Sequence, residues 1–420
     1  MLLASKPRSN MPGFLASQSS LQSCASPTQE VGLPDGFENL DVLHFGEQAG
    51  SFLNAIDILQ KPIEEYLEEQ KPPPSCLISN SLLPWTCQTA ENFDIPRIVF
   101  HGMCCFSLSS WFNLRCFNSH ESVTSDSELF PIPGLNHHIE ITKSQLPPVV
   151  NSFSELENEY VGYCGKALWN KKVWTIGSVS LCNKDMLVKA ARGNRAAISQ
   201  HECLKWLDLR KLKSVVYVSF GSLCRLGPSQ LMQIGLALEA SKKPFIWVIR
   251  GVVEPEEIEK WITVGFEDRT KETGLIIRGW APQILILSHP AIGGFLTHCG
   301  WNSTMESICA GVPMITWPLF GEQVLNEKLV VNVLKIGVDL GILRCAMWWN
   351  PVEKLDVLVT MEEISKAVER AATLALACLR TDPQSRPTMW NVSHRLSVSR
   401  APIQRASHSI TIGHLLDVQV

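Results

Sequence analysis

The clearest pattern in the chain is an alternation of short apolar runs with longer helix-forming stretches. In the second half the apolar runs have the length and flanking turns of buried strands. They are Ser214–Phe220, Pro244–Arg250, Leu275–Gly279, Gly293–Leu296 and Pro313–Trp317. Helical patterns lie between them, the clearest being Pro228–Ser241, which begins at a proline. Strands alternating with helices are typical of a parallel α/β sheet, so residues 214–337 are predicted to form one complete doubly wound domain.

The first half shows the same alternation with weaker signals. Helices are predicted at Ala49–Glu69, Leu83–Asn92 and Cys104–Leu114, and strands at Ser75–Ser79 and Arg97–Phe100. The proline-containing stretch Phe130–Val150 is predicted to be loop. These elements indicate a second, smaller α/β domain.

The segment Trp280–Gln323 holds the strongest candidate chemistry. An apolar strand ends in Thr297–Gly300, and a helix is predicted at Thr304–Ala310, with Asn302 or Ser303 as its cap and Gly311 at its end. A helix that begins after a strand and a glycine turn offers N–H groups and the positive end of its dipole, which suits a diphosphate. His298 and Ser303 can add side-chain donors there.

Further side chains in this segment suit the other parts of a nucleotide sugar. Trp280 offers a flat face for a base, and Glu306, one turn into the helix, can accept hydrogen bonds from a ribose diol. Glu322 and Gln323 can bind sugar hydroxyls. Each feature alone is weak evidence, because a lone histidine such as His298 is more often a structural residue than a ligand contact.

As a whole, Trp280–Gln323 resembles, nearly position for position, the signature box of the plant UDP-dependent glycosyltransferases that glycosylate small secondary metabolites. The resemblance implies a GT-B fold, in which two Rossmann-like α/β domains face a cleft and bind the acceptor and UDP-glucose. It assigns uracil stacking to Trp280, the diphosphate to His298, Asn302 and Ser303, and the ribose to Glu306. Glu322 and Gln323 would hold the sugar, with Gln323 the form associated with glucose and a histidine there suggesting galactose. The remaining implied donor contacts are Ser222, Ala281, Gln283, Gly300 and Trp301.

The resemblance also implies a reaction. Glucose would pass from UDP-glucose to a hydroxyl of a flavonoid, a terpenoid or a hormone-like compound by direct displacement with inversion. No metal and no other cofactor would be needed, because the helix N-terminus and His298 neutralise the departing diphosphate.

Two positions depart from the family pattern. The family carries a catalytic histidine near its N-terminus, held by an aspartate, but no histidine precedes His44, and Asn80 stands at the aspartate position. His101 is a weak candidate for a substitute base, and we favour a structural role for it. The alternative to an active enzyme is therefore a catalytically impaired UDP-sugar-binding remnant.

The predicted organisation has five parts, in a chain that we expect to be a truncated family member with an incomplete N-terminal domain. They are an irregular leader (1–29, with a transit peptide as the alternative), an acceptor-binding domain (30–177), a linker (178–200), a UDP-sugar-binding domain (201–345) and a divergent tail (346–420). Within the tail, Leu374–Met389 resembles the last helical part of a plant receptor-like kinase domain. The chain has no kinase Gly-rich loop, catalytic Asp loop or D-F-G, which excludes kinase activity.

The composition of the chain further limits the class of protein to which it can belong. The 420 residues can fill two cores, the net charge of -4 offers no basic surface for nucleic acid, and no apolar run is long enough to span a membrane. The 14 cysteines are scattered without metal-type spacing, which fits free thiols in a reducing compartment. We therefore expect a monomeric cytoplasmic protein whose partners are a UDP-sugar and a small hydrophobic acceptor.

Overall fold

The computed structural model describes residues 2–4, 56–80, 83–102, 104–125, 128–142, 160, 195–224, 226–250, 255–341 and 359–377. Its internal contacts divide the chain into two compact units, of which the first contains residues 1–101 and the second residues 102–397. The division falls inside the segment 30–177 that the sequence assigned to a single acceptor domain.

The first unit contains a three-stranded sheet, in which β1 (Leu2–Ala4) lies beside β2 (Cys76–Asn80) and β2 lies beside β3 (Arg97–Phe100). Strand β2 runs parallel to β3, as predicted for these two runs. Helices α1 (Gln60–Glu69) and α2 (Trp85–Asn92) pack together through their apolar faces. The predicted helices are therefore confirmed here, although residues 49–55 of the first lie outside the described residues.

The leader contains one element that its prediction as irregular missed. Leu2–Ala4 forms strand β1, which pairs antiparallel with β2. Three apolar residues carry too little local pattern to indicate a strand, and it is the hydrogen bonds of the neighbouring strand that define this one. Residues 5–29 lie outside the described part of the chain.

The second unit begins with α3 (Cys105–Phe117) and a short antiparallel hairpin of β4 (Phe130–Pro131) and β5 (Glu140–Ile141). The stretch Phe130–Val150 was predicted as loop, and the hairpin corrects that prediction. The prediction missed it because strands of two residues are too short to give a periodic signal. Residues 143–150 are not among those described.

The main sheet of the second unit has six parallel strands. They are β6 (Val215–Ser219), β7 (Phe245–Ile249), β8 (Gly274–Arg278), β9 (Ile292–Thr297), β10 (Met314–Thr316) and β11 (Gly337–Asp339). Their order across the sheet is β11-β10-β9-β6-β7-β8. Strands β6, β7 and β8 therefore follow one another toward one edge of the sheet, and β9, β10 and β11 follow one another toward the other edge. Between β6 and β9 the sequence order reverses, which is where open α/β sheets bind ligands.

Alternate residues of each strand point to opposite faces of this sheet. Both faces are buried. Val215 and Tyr217 of β6 lie in one core cluster, whereas Val216 and Val218 lie in the other. The α-helices that the structure describes between residues 195 and 377 are α4 (Gln200–Asp208), α5 (Pro228–Ser241), α6 (Pro255–Trp261), α7 (Glu267–Thr270), α8 (Gln283–Leu287), α9 (Trp301–Ala310), α10 (Gln323–Lys328) and α11 (Met361–Ala377).

Helix α11 belongs to the core of the second unit. Ile364, Ala367, Val368 and Ala371 recur at helical spacing and are buried against the sheet face covered by α5. Gln230 of α5 also exchanges two hydrogen bonds with the backbone of residue 359. Residues 359–377 of the predicted divergent tail (346–420) are therefore integrated in the fold. Residues 374–377 of the kinase-like stretch Leu374–Met389 belong to the end of α11, and residues 378–389 lie outside the described residues.

None of the helices that the structure describes is both long and apolar enough to cross a membrane.

The two adjacent glycines of β9 should respond differently to alanine substitution. The register between β6 and β9 shifts at Gly293, where a Cβ would collide with the backbone carbonyl of Lys213. A Cβ on Gly294 would meet only the Ala371 side chain, at 3.8 Å. We expect Gly293→Ala to lower the free energy of unfolding by about 1–3 kcal/mol, and Gly294→Ala to change it by less than about 1 kcal/mol. Urea unfolding measures both, and equal losses would contradict this packing.

Candidate functional site

A cavity of about 460 Å³ lies in the second unit, lined by residues from the carboxyl ends of β6 to β9 and from the segment after β10. All twelve residues that the sequence assigned to the donor line it. They are Ser222, Trp280, Ala281, Gln283, His298, Gly300, Trp301, Asn302, Ser303, Glu306, Glu322 and Gln323. Tyr217, Gly221 and Arg250 also line the cavity and were not among the predicted residues.

Helix α9 begins directly at this cavity. Its N-cap is Gly300 and it makes no side-chain cap hydrogen bond, so the prediction that Asn302 or Ser303 caps the helix is wrong. Both residues lie in the first turn, because the chain already turns into the helix at Gly300, whose carbonyl accepts a hydrogen bond from the Thr304 N–H. The predicted end at Gly311, with φ 65, is confirmed. The first N–H groups of a helix have no partner within the helix, so this end can bind an anion.

His298 lies beside that helix end and is buried. Its imidazole ring is held between two glycines: a Cβ on Gly221 would lie 2.6 Å from the ring, and a Cβ on Gly300 would collide with Nε2. Burial lowers the pKa of His298 to about 4, and Nδ1 has no hydrogen-bond partner among the described residues. The ring is therefore neutral at physiological pH and can offer one N–H to a ligand.

Gln283 connects the helix to the floor of the cavity. Its Nε2 donates to Glu306 Oε2 at 2.9 Å and to Ser303 Oγ at 3.0 Å, while its Oε1 accepts from the Tyr217 hydroxyl at 3.3 Å. Burial, with a smaller contribution from the charge of Glu306, raises the pKa of Tyr217, which therefore remains a hydroxyl donor. This network fixes the orientation of the Glu306 carboxylate. A polar tip inside the apolar run Ser214–Phe220 was the one sequence signal for Tyr217.

Trp280 follows β8 and presents its indole to the same cavity. The Arg250 guanidinium, at the end of β7, lies 4.8 Å from the centroid of the ring, which is cation–π range. The Trp280 carbonyl accepts a hydrogen bond from the Ala197 N–H at 2.8 Å. Both the ring and the backbone of Trp280 are thus fixed before any ligand arrives.

Glu322 and Gln323 lie after β10, at the start of α10, and both are buried. Burial raises the pKa of Glu322 to about 7, and its Oε2 has no hydrogen-bond partner among the residues described. Gln323 Oε1 accepts hydrogen bonds from the N–H groups of Leu319 and Phe320, at 2.9 and 3.1 Å. Because its oxygen is occupied, the Gln323 amide can offer a ligand only its Nε2 donors.

The candidates on the acceptor side belong to the first unit. Asn80 ends β2 and pairs in register with Phe100, so His101, the next residue, lies at the same edge of that sheet. Burial, and to a lesser extent the charge of Arg97, lowers the pKa of His101. A neutral imidazole can accept a proton, which is the state that a general base requires.

Within the described residues, no group of three or more His, Cys, Asp or Glu side chains is arranged to hold a metal ion.

Comparisons with known proteins identify a matching family and similar proteins. A family model described as UDP-glucoronosyl and UDP-glucosyl transferase matches residues 196–345. The chain is 50% identical over 370 residues to UDP-glycosyltransferase 73C3 of Arabidopsis thaliana, covering 82% of this chain and 74% of that protein. It is 48% identical over 369 residues to UDP-glycosyltransferase 73E1 of Stevia rebaudiana, covering 81% and 74%.

Two solved structures show the shared fold. UGT73P12 of Glycyrrhiza uralensis, complexed with glycyrrhetinic acid 3-O-monoglucuronide, matches with a TM-score of 0.72 and 33% identity over 88% of this chain and 81% of that one. Arabidopsis thaliana UGT89C1, complexed with UDP, matches with a TM-score of 0.62 and 27% identity over 86% and 78%. UGT89C1 has also been solved with quercetin and with UDP-L-rhamnose. The predicted α/β fold of the GT-B class is confirmed.

The buried imidazole of His298 predicts a specific loss of stability in acid. The unfolded chain takes up a proton at this residue near the ordinary pKa of 6.5, whereas the folded protein does not until pH about 4. Stability is therefore lost as the pH falls below 6.5. Between pH 7 and pH 5, wild type should lose roughly 2 kcal/mol more unfolding free energy than His298→Gln. Urea unfolding at the two pH values measures this, and parallel losses would contradict a buried neutral ring.

Glu322 should give the opposite pH dependence of the unfolding free energy. Its folded pKa of about 7 lies above the ordinary 4.5, so the unfolded chain releases this proton first as the pH rises. Stability falls between these values, and wild type should lose on the order of 2 kcal/mol more than Glu322→Gln between pH 5 and pH 7. The same unfolding series measures this, with His298→Gln as the matched control. A wild-type stability that rises relative to Glu322→Gln would refute a protonated Glu322.

Proposed function

Because this chain belongs to the plant UDP-glycosyltransferase family, we propose that it transfers glucose from UDP-glucose to a hydroxyl of a small plant metabolite, with inversion. The observation that carries the proposal is the convergence of twelve family-matched residues on one cavity, which lies at a helix N-terminus where the strand order reverses. Each residue has a chemical task that its surroundings support.

The diphosphate binds at the N-terminus of α9. The N–H groups of Trp301 and Asn302 and the side chains of Ser222, His298 and Ser303 provide donors around that end. The helix dipole and the neutral His298 N–H stabilise the charge that develops as UDP leaves, so no metal ion is required.

The nucleoside binds between Trp280 and Glu306. Uracil stacks on the Trp280 indole, next to Ala281. The hydrogen bond from the Ala197 N–H to the Trp280 carbonyl fixes the backbone there. The ribose hydroxyls donate to Glu306, whose carboxylate Gln283 already orients. The ordered network avoids much of the entropic cost of arranging these groups on binding.

The sugar is held by Glu322 and Gln323. Gln323 is limited to donating from Nε2, while Glu322 Oε2 is available to accept from a sugar hydroxyl. This division of donor and acceptor supports a specific hexose, and the glutamine favours glucose by resemblance. UGT89C1 was solved with UDP-L-rhamnose, so donor tests need a panel of UDP-sugars.

The acceptor hydroxyl attacks the anomeric carbon of the sugar, the bond to UDP breaks, and the configuration changes from α to β. The hydroxyl proton passes to a general base, for which His101, with its lowered pKa, is a candidate. Flavonoids, terpenoids and hormone-like alcohols are the proposed acceptors. UGT89C1 was solved with quercetin, which therefore belongs in the first acceptor panel.

A second candidate function is UDP-sugar binding without efficient transfer. Asn80, at the end of β2, stands where the family pattern has an aspartate. An amide cannot stabilise an imidazolium as a carboxylate does, so a base that depends on it loses catalytic power. Under either function we expect a monomeric cytoplasmic protein that binds no nucleic acid, is not an integral membrane protein and uses no cofactor.

Mass spectrometry of products from UDP-glucose and a mixed panel of phenols and terpenoid alcohols tests transfer. An active enzyme adds one hexose to an acceptor, and His101→Gln then tests the base: a loss of more than about 100-fold would assign it that role. Unchanged turnover would assign the base elsewhere. No product, from protein that still binds UDP, would support the donor-binding remnant.

The ribose contact can be tested with a matched pair of ligands. Wild type should bind UDP about 10–100-fold more tightly than 2′-deoxy-UDP, the range for a hydrogen bond to a charged group. Glu306→Gln should weaken UDP more than 2′-deoxy-UDP, which has only its 3′-hydroxyl contact to lose, so the preference for UDP is largely lost. Isothermal titration calorimetry measures all four affinities. A preference retained in Glu306→Gln would remove Glu306 from the ribose site.

A further inference from the structure

Asn326 is a completely buried polar residue in α10 that is not among the residues lining the cavity. Its Nδ2 donates to the carbonyl oxygen of Cys299 at 2.9 Å. Its Oδ1 accepts hydrogen bonds from Ser107 Oγ at 3.1 Å and from Cys104 Sγ at 3.3 Å. One side chain thus joins α10, the start of α3 and the segment between β9 and α9.

The carbonyl that Asn326 binds belongs to an unusual residue. Cys299 has a φ of 64°, in the left-handed region that residues other than glycine rarely adopt. Its N–H is held by Thr297 Oγ1 at 3.3 Å, so hydrogen bonds restrain the turn on both sides of the residue. Such a conformation persists where the surroundings determine it, and it clusters at functional sites.

The restrained turn separates the two groups that face the diphosphate. His298 precedes Cys299, and Gly300, the N-cap of α9, follows it. A rotation of the peptide at Cys299 would move the imidazole and the first N–H groups of the helix relative to each other. The Gly221 and Gly300 contacts leave the ring little room to compensate.

We propose that Asn326 is a positioning residue for the donor: its amide holds the Cys299 carbonyl and thereby aligns His298 and the N-terminus of α9 on the diphosphate of a nucleotide sugar. This rests on the proposed function, because it presupposes that the cavity binds UDP. The hydrogen bonds from α3 orient the Asn326 amide so that Nδ2, and not Oδ1, faces Cys299.

Two variants separate positioning from a purely structural brace between helices. Asn326→Asp keeps the shape and the acceptor for Ser107 and Cys104 but replaces the Nδ2 donor with an oxygen facing the Cys299 carbonyl. Ser107→Ala removes one of the two hydrogen bonds from α3. The hydrogen bond from Cys104 Sγ still orients the Asn326 amide, and the one to the Cys299 carbonyl stays intact. Ser107→Ala is therefore the matched control for lost stability.

The test compares UDP with uridine by calorimetry, with thermal melting alongside. Asn326→Asp should bind UDP at least tenfold more weakly while its affinity for uridine, which lacks the diphosphate, stays within twofold. Ser107→Ala should lower Tm but keep the UDP affinity within twofold. Asn326→Ala, which adds no charge to the core, should show the same selective loss and replaces the Asp variant if that one does not fold.

Equal losses for UDP and uridine, or an unchanged UDP affinity in both Asn326 variants, would overturn the proposal. So would a Ser107→Ala protein as impaired in UDP binding as Asn326→Asp. Wild type that binds neither UDP nor UDP-glucose would instead refute the proposed function.

Discussion

The site depends on one geometric constraint, the sharp turn that connects strand β9 to helix α9. Strand β9 is central in the sheet and buried on both faces, so it fixes where the turn begins. Two glycines give the His298 ring its place beside the helix N-terminus. Because the helix dipole and the imidazole meet at this turn, we propose that the leaving diphosphate is stabilised here.

The turn is surrounded by buried polar groups whose burial reduces the stability of the folded protein. Burial favours the neutral form of both groups, because it lowers the pKa of His298 to about 4 and raises the pKa of Glu322 to about 7. Cys299 adds backbone strain of about 1–3 kcal/mol. Such groups lower stability in the unliganded protein, and a nucleotide sugar that supplies their missing partners should raise it by mass action.

Much of the fold and of the donor site could be predicted from the sequence, because strongly periodic strands such as Ser214–Phe220 and the dense motif of Trp280–Gln323 carry local signals. The features that the local sequence pattern did not predict depend on contacts between distant residues. Strand β1 exists through its pairing with β2, and Tyr217 and Arg250 join the site only once β6, β7 and β8 lie side by side. The helix start was misplaced because Gly300 caps it through backbone geometry, which has no side-chain signature.

The most direct test of the central claim is a crystal structure of the protein with UDP-glucose. We predict that the diphosphate lies within hydrogen-bond distance of the first N–H groups of α9 and of His298, with uracil on Trp280 and the ribose on Glu306. A nucleotide bound elsewhere, or one whose phosphates contact neither the α9 N-terminus nor His298, would contradict the account.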